Sequence, residues 1–348
     1  MPYPVIDCHA DTFSKQLLFQ KNPAYLSLLK MRNPDCQQFL EITPERCKQA
    51  NLRIQTQSLY MHQAFMDKPL KHALKIIALV QQFIKENPEF YLVKSFDQKN
   101  WDEKMGILLS IEGLEVIEEN LDLMDVFYEL GVRMIAPNWN RLTPWLSPVT
   151  ENSGMLSRGM DLVKQLNQMN VLLDISHLSD QSVFDLEKVY QGTIIASHSN
   201  IRNLTPEKRN LSDDLIEIIR ERQGLIGINF YPVFLQSEIS HFKKRYSDLS
   251  FTDQVLYDKD YQASDFTDTY PVSFLWILNI LEYLDKKNAL DCVCFGADFD
   301  GIEQYSPGLE NPSGFPILES FLRKIGCEET LIKKIFFENA LAVLKRVL

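Results

Sequence analysis

Five short segments of this 348-residue chain gather side chains able to hold a cation or move a proton. They are Asp7-Cys8-His9-Ala10-Asp11, Ser110-Ile111-Glu112-Gly113, Asp174-Ile175-Ser176-His177, Ser197-His198-Ser199 and Ala297-Asp298-Phe299-Asp300-Gly301. On a continuing strand His9 and Asp11 point to the same face and can grip one ion. Glu112 follows an apolar run, where a buried carboxylate is costly unless paired or bound to metal. Taken singly, each has a plainer reading: a salt bridge for Glu112, a hydrogen-bonded core residue for His177 or His198, a solvated turn or helix cap for Asp298. Taken together, imidazole nitrogens and hard carboxylate oxygens suit Zn²⁺. One bridging carboxylate can hold two cations roughly 3.5 Å apart, and water bound there ionises near pH 7 instead of 15.7. That hydroxide is a hydrolytic nucleophile, and Asp298, acidic and not needed as a ligand, is the candidate proton shuttle.

These residues converge only if the chain places them at one end of its strands. Eight short, near-continuously apolar or β-branched runs have the character of parallel strands covered on both faces. They are Tyr3 to Cys8, Leu52 to Tyr60, Gly106 to Ile111, Val132 to Pro137, Val171 to Ile175, Thr193 to Ala196, Leu225 to Phe230 and Cys292 to Gly296. Helical periods lie between them. Leu70, Ala73, Leu74, Ile77, Val80 and Ile84 mark one apolar face ending at Asn87-Pro88, and Leu121, Met124, Phe127 and Leu130 mark another closed by Gly131. Ser179 and Ser212 stand at N-cap positions, with Gly192 and Gly224 where those helices should end. The alternation predicts a single (β/α)8 TIM barrel over residues 1–348, of metal-dependent hydrolase type, with an open doubly wound sheet as the alternative. The stretch at about 232–270, rich in Ser, Asp, Tyr and Phe, is too long for a βα connection and reads as an inserted loop, a lid or binding element.

Composition removes other classes. A net charge of −11, spread along the chain, gives no clustered basic surface for nucleic acid. The six cysteines form no CxxC pair and read as reduced core residues. The first twenty residues lack a signal-peptide core and no apolar run is long enough to span a membrane, so a soluble, cytoplasmic protein is expected. No P-loop, GxGxxG or GxSxG motif follows a strand.

The five segments, in order and spacing, resemble the renal (membrane) dipeptidase family of zinc metallopeptidases. His177 and His198 stand 21 residues apart, as that pattern expects, and Glu338-Asn339-Ala340-Leu341 resembles its C-terminal helix motif. The resemblance implies a dipeptidase with two Zn²⁺ ions, His9 and Asp11 on one, His177 and His198 on the other, and Glu112 bridging both. It implies a hydroxide bridging the zinc ions, Asp298 carrying a proton to the leaving amine, and Arg209 clasping the free carboxylate of a small dipeptide substrate. A homodimer is common among such proteins, and a lipid anchor is not expected, because Lys345 and Arg346 interrupt the final helix.

Two departures bear on the substrate. Trp139 stands where mammalian members carry the histidine that steadies the oxyanion, and loss of such a donor elsewhere costs roughly 10² to 10³ in turnover. Trp139 is therefore a substrate-binding candidate, with Asn138 or Asn140 as compensating donors. Leu114 replaces a second glycine after Glu112, which would reshape the pocket. The alternatives are a barrel hydrolase for another amide, lactone or phosphoester, and a catalytically weak metal-holding, peptide-binding protein.

Overall fold

The computed structural model describes residues 2–22, 40–96, 101, 103–237 and 270–348. All eight apolar runs form strands, joined by one more: β1 Val5–Asp7, β2 Leu52–Tyr60, β3 Phe90–Leu92, β4 Met105–Glu112, β5 Val132–Ala136, β6 Leu172–Asp174, β7 Ile194–Ile195, β8 Ile226–Ile228 and β9 Val293–Phe295. Their spatial order is β7-β6-β5-β4-β2-β1-β9-β8, with β3 added beside β4, and every named pairing is parallel. The ends meet: Ala196 bridges Ile226 in parallel, its N–H donates to the Leu225 carbonyl at 2.8 Å, and the Gly227 N–H donates back at 2.8 Å. The sheet is thus a (β/α)8 barrel and not an open doubly wound sheet.

Alternation along the strands divides the interior. On β4, Ile107, Leu109 and Ile111 pack outward into the large core shared with the helices, while Leu108 faces a second cluster with Ile54, Met134, Leu172 and Ile195. Ala340, Val343 and Leu344 of the C-terminal helix Asn339–Val347 pack into this second cluster. Ser110 and Glu112 lie on the same face as Leu108, further along the strand, so the polar end stands above an apolar floor.

The helix signals behave as their chemistry predicts, with exceptions. The helix Pro69–Glu86 is capped at Asn87. Leu123–Leu130 ends in Gly131 at φ 114, and the Ser179 hydroxyl accepts the Ser182 N–H to start Asp180–Glu187. Ser212 occupies the N-cap of Asp213–Glu221 without a side-chain cap bond. Gly192 and Gly224 do not stop their helices, which end earlier, at Glu187 and Glu221. The predicted loop begins with a short helix, Pro232–Leu235, and its remainder at 238–269 lies outside the described residues, as does the lid role assigned to it. Among the described residues no helix is long and apolar enough to cross a membrane, and Cys8, Cys47, Cys292 and Cys294 are buried free thiols.

Closure depends on two residues without side chains. A Cβ on Gly227 would fall 1.8 Å from the Ser197 carbonyl oxygen, and one on Gly296 would fall 1.7 Å from it. Neither contact can be relieved by a rotamer change, because the obstacle is backbone. Gly227→Ala is expected to destabilise the fold by about 3 kcal/mol, at the upper end for overpacked sites. A urea unfolding midpoint equal to that of the parent would contradict this account of closure.

Candidate metal centre

Glu112 is the last residue of β4, and His9, His177, His198 and Asp298 each sit two or three residues past the end of a strand, where a buried aspartate or neighbouring strand anchors the backbone. After β1, the Asp7 carboxylate accepts from the Ala297 N–H at 2.8 Å, the Gln55 amide at 2.9 Å and the His9 N–H at 3.4 Å. This locks His9 against the end of β9, whose own continuation supplies Asp298. Asp298 and Asp300 both have positive φ, 64 and 67, which turns the chain back over the mouth. Gly301 leaves room for the result: a Cβ there would lie 2.3 Å from an Asp298 carboxylate oxygen and 2.4 Å from one of Asp11. Asp300 points elsewhere, accepting from the Thr12 hydroxyl at 2.7 Å and the Lys15 ammonium at 3.1 Å, so it anchors the first helix and not the site.

The convergence is tight. His9 Nε2 lies 3.7 Å from Asp11 Oδ2, 3.6 Å from Glu112 Oε2 and 3.8 Å from Asp298 Oδ1. On the other side of the glutamate, His177 Nε2 lies 2.8 Å and His198 Nε2 3.7 Å from Glu112 Oε1, and the two nitrogens are 3.0 Å apart. The His9 and His198 rings stack at 3.8 Å. Glu112 therefore turns one oxygen toward His9 and the other toward His177 and His198, while the Ser58 hydroxyl, across the β2–β4 pairing, donates to Oε2 at 2.9 Å. The ligand atoms of His9, Glu112 and His198 all lie within 4.8 Å of one another, close enough to share a cation, and so do those of His9, Asp11 and Asp298. His9 is shared between these groups, and Asp298 enters one of them.

The donor set fits a cation. Both ring nitrogens of His9 and Oδ1 of Asp11 are buried without a hydrogen-bond partner, an arrangement native interiors avoid unless a ligand completes it. Electrostatics agree. Burial disfavours the His9 cation, but the Glu112, Asp11 and Asp298 carboxylates outweigh it and push the imidazole up to about 10. Burial, with Glu112 adding, holds Asp11 up at about 6, and burial with Asp11 and Glu112 holds Asp298 at about 7. Glu112 runs the other way: burial opposes ionisation, yet His9, His177 and Ser58 hold it down at about 2. Burial and the Arg209 guanidinium lower His177 to about 4, and burial and His9 hold His198 well below the ordinary imidazole range. In this state the His9 proton takes the place of a metal charge.

The structure brings all eight predicted residues, His9, Asp11, Glu112, His177, His198, Asp298, Arg209 and Trp139, into one neighbourhood. Arg209, half-buried, donates to the Ser176 carbonyl, to the Ser199 hydroxyl at 3.1 Å and toward His177 Nε2 at 3.2 Å, and lies 5.6 Å from the Phe234 ring centre. Trp139 stands 5.0 Å from the Tyr60 ring and 6.2 Å from His177, ring centre to ring centre. The two asparagines are already engaged. Asn138 donates to the carbonyls of Arg141 at 2.7 Å and Leu146 at 3.0 Å and so is not a free oxyanion donor, whereas the Asn140 carbonyl oxygen accepts from His177 Nδ1 at 3.2 Å and orients that ring. Leu114 is fully buried in the main core, starting the turn Leu114–Ile117, so any effect on the pocket is exerted from behind it and not by lining it. Sequence reasoning missed Ser58, Tyr60 and Asn229. Asn229 donates to Asp298 Oδ2 at 3.0 Å, and burial with Asp11 and Glu112 raises the Tyr60 phenol. All three lie at or near strand ends, but only Asn229 interrupts an otherwise apolar run, since β2 already carries Gln55, Thr56 and Gln57 before Ser58.

Comparison with known proteins follows the same line. The pattern of a family described as membrane dipeptidase (peptidase family M19) matches residues 2–348. An uncharacterised protein of Acinetobacter calcoaceticus is 37% identical over 146 residues, 39% of this chain and 46% of its own length. Dipeptidase 3 of Mus musculus is 25% identical over 286 residues, 79% of this chain and 51% of its own length, so the chain spans about half the length of these curated relatives. Among solved structures, a metallo peptidase from Rhodobacter sphaeroides, liganded with a phosphinate mimic of the dipeptide L-Ala-D-Ala, superposes with a TM-score of 0.77 at 22% identity, covering 100% of both chains. That likeness shows the same barrel.

The protonation pattern makes a thermal prediction. With its value raised to about 10 from 6.5, His9 contributes stability that is complete below 6.5 and lost as pH rises toward 10. Asp11 and Asp298, raised from 3.8 to about 6 and 7, lose theirs between those limits. The chelator-treated protein should melt at progressively lower temperature between about pH 6.5 and 8.5, and excess Zn²⁺ should raise the midpoint by a margin that grows over the same interval. A zinc increment independent of pH would show that no proton is displaced from this cluster.

Proposed function

We propose, from the fact that this chain belongs to the membrane dipeptidase family, peptidase family M19, that it is a zinc-dependent dipeptidase hydrolysing a peptide bond at this cluster. The observation that carries the reading is the division of Glu112, whose two oxygens face different histidines at 2.8 and 3.6 Å. His9 and Asp11 would hold one ion, His177 and His198 the other, and Glu112 both. When bound, such a pair supplies a water ionised near neutral pH and a Lewis acid for the scissile carbonyl.

The chain's own residues do the rest. Asp298, raised to about 7 by burial and its carboxylate neighbours, is poised to take a proton at neutral pH and return it to the departing amine. The Asn229 amide holds its other oxygen and so aims it. Arg209, at the rim beside His177, is placed to receive the free carboxylate of a dipeptide in a forked hydrogen bond. Tyr60 and Trp139 form an aromatic pair beside His177, suited to cover the substrate and keep water out. The phosphinate dipeptide mimic carried by the structurally similar Rhodobacter protein supports a dipeptide-sized substrate. A reducing, cytoplasmic setting accords with Cys8 and Cys294, whose thiols stand 3.6 Å apart unlinked.

Trp139, in the place of the oxyanion histidine, favours testing other bonds as well. Assay of purified protein on a panel of dipeptides beside lactones, cyclic amides and phosphoesters should give turnover on dipeptides foremost; exclusive turnover of another class would replace this reading. Glu112→Ala should abolish both metal retention and activity. Asp298→Asn should keep the metal, by elemental analysis, and lower turnover by roughly 10² or more. Full turnover in Asp298→Asn would remove the shuttle role.

A further inference from the structure

Behind His177 and His198 lies a carboxylate that reaches neither substrate space nor the cluster itself. Asp174, 2% exposed, ends β6. Its Oδ1 accepts the Ser176 N–H at 3.0 Å, the Ser176 hydroxyl at 2.6 Å and the Ser197 N–H at 2.9 Å, and its Oδ2 accepts the Ser197 hydroxyl at 2.5 Å. The same Ser197 oxygen lies 2.7 Å from His198 Nδ1. A serine hydroxyl has one hydrogen to give. Were it given to His198, two acceptor oxygens would face each other at 2.5 Å with nothing between them; it goes to Asp174. His198 then meets a lone pair on Ser197, and Nδ1 must carry the hydrogen of that contact. Nε2 is left bare, facing Glu112 Oε1 at 3.7 Å and His177 Nε2 at 3.0 Å.

We propose that Asp174 is a positioning residue that sets the tautomer of His198 through the Ser197 hydroxyl, so that the ring presents an Nε2 lone pair to a divalent cation. The proposal deepens the metal reading above and rests on it for the role of His198. It also accounts for the paired Ser-His segments at the ends of β6 and β7. Ser197 relays the polarity, while Ser176, donating to Asp174, accepts the His198 N–H at 3.1 Å and fixes the backbone from which the ring projects. A carboxylate reaching a metal-ligating histidine, here at one remove, is the arrangement that fixes ring orientation and tautomer in metal sites generally.

The relay has a direction, and one substitution reverses it. In Asp174→Asn the amide oxygen is needed where three donors converge, so the NH₂ takes the place of Oδ2 and donates to Ser197. The serine hydrogen must then turn to His198 Nδ1, and the ring hydrogen moves to Nε2, into the cation's place. D174N should weaken Zn²⁺ binding about 10- to 100-fold in competition with a chromophoric chelator. S197A cuts the relay and leaves the ring free to choose, with a smaller loss. The double variant should match S197A, because the amide has no hydroxyl through which to act; a purely structural aspartate would give additive losses.

Two-bond ¹H–¹⁵N spectra of the metal-free protein labelled at histidine nitrogen read the tautomer directly. The parent should show His198 with its hydrogen on Nδ1, D174N with it on Nε2, and S197A a mixture. An Nε2–H ring in the parent, or an unchanged ring in D174N, overturns the relay, as do additive losses in the double variant. Should D174N fail to fold by circular dichroism, parent and S197A decide: identical spectra overturn the relay, a shift toward the mixture supports it. A tautomer that inverts as described in a protein that binds no Zn²⁺ would uphold the relay and sink the metal reading instead.

Discussion

Three carboxylates, Asp11, Glu112 and Asp298, are held out of water within 3.6 to 3.8 Å of a single imidazole nitrogen, that of His9. Carboxylates gathered around one atom in a low-dielectric interior repel one another strongly when ionised. Arg209 reaches toward the cluster only at His177, so the electrostatic deficit has to be met from outside or by protons. The raised values of Asp11, Asp298 and His9 are the protonic answer. The rest of the molecule can be understood as the frame that keeps this unfavourable assembly from spreading apart: a barrel closed by backbone contact at Gly227 and Gly296, with an apolar floor beneath the ligand layer.

The same frame separates the roles of the carboxylates. Glu112 stands at the end of the longest-paired strands, β2 and β4, and receives a hydroxyl from one side and two histidines from the other; it is held ionised. Asp298 hangs from a residue in the left-handed region, its second oxygen met by an asparagine amide and its first facing His9 across 3.8 Å. Burial therefore dominates and keeps its proton affinity near neutrality. Titratable groups driven apart by environment in this way divide the labour of holding a charge and moving a proton.

The strands, their ligand-bearing ends and the convergence of His9, Asp11, Glu112, His177, His198 and Asp298 were legible because each depends on local pattern: an apolar run, a polar stop and the rule that barrel sites lie at carboxyl ends. Arg209 and Trp139 carry no such mark and were named only through the family resemblance. What was not legible depends on register between strands. Ser58 meets Glu112 only because β2 and β4 pair with Ser58 opposite Ser110, and nothing near Ser58 in the sequence marks it. The contact of the Asn140 carbonyl oxygen with His177 likewise depends on how two loops meet and has no mark in the sequence. Leu114 was marked by standing in place of a second glycine, and its destination was not legible: Gly113 at φ 98 turns the chain and sends it into the core. Gly192 and Gly224 matched a helix-ending signal, whereas a Cβ on Gly224 would lie 1.8 Å from the Ile194 carbonyl, so close strand approach explains that glycine better.

Asp174 has a counterpart on the far side of the barrel, and the pair shows how a fold of short strands can position ligands on residues that no longer belong to a strand. Asp7 ends β1 and Asp174 ends β6. Each accepts the N–H of the residue two further on, His9 or Ser176, and the N–H of a residue two past the end of the neighbouring strand, Ala297 after β9 or Ser197 after β7. Each thereby replaces ladder hydrogen bonds that stop where the strands diverge, and each is buried, so the N–H groups have no water to turn to. In both cases the next residues carry the chemistry: His9 and Asp298 on one seam, His177 and His198 on the other. Side-chain carboxylates extend the sheet by one rung at the two places where four of the cluster's residues leave it. An aspartate is short enough to stay in register with the backbone, and glutamate, one methylene longer, would overshoot the N–H it has to meet.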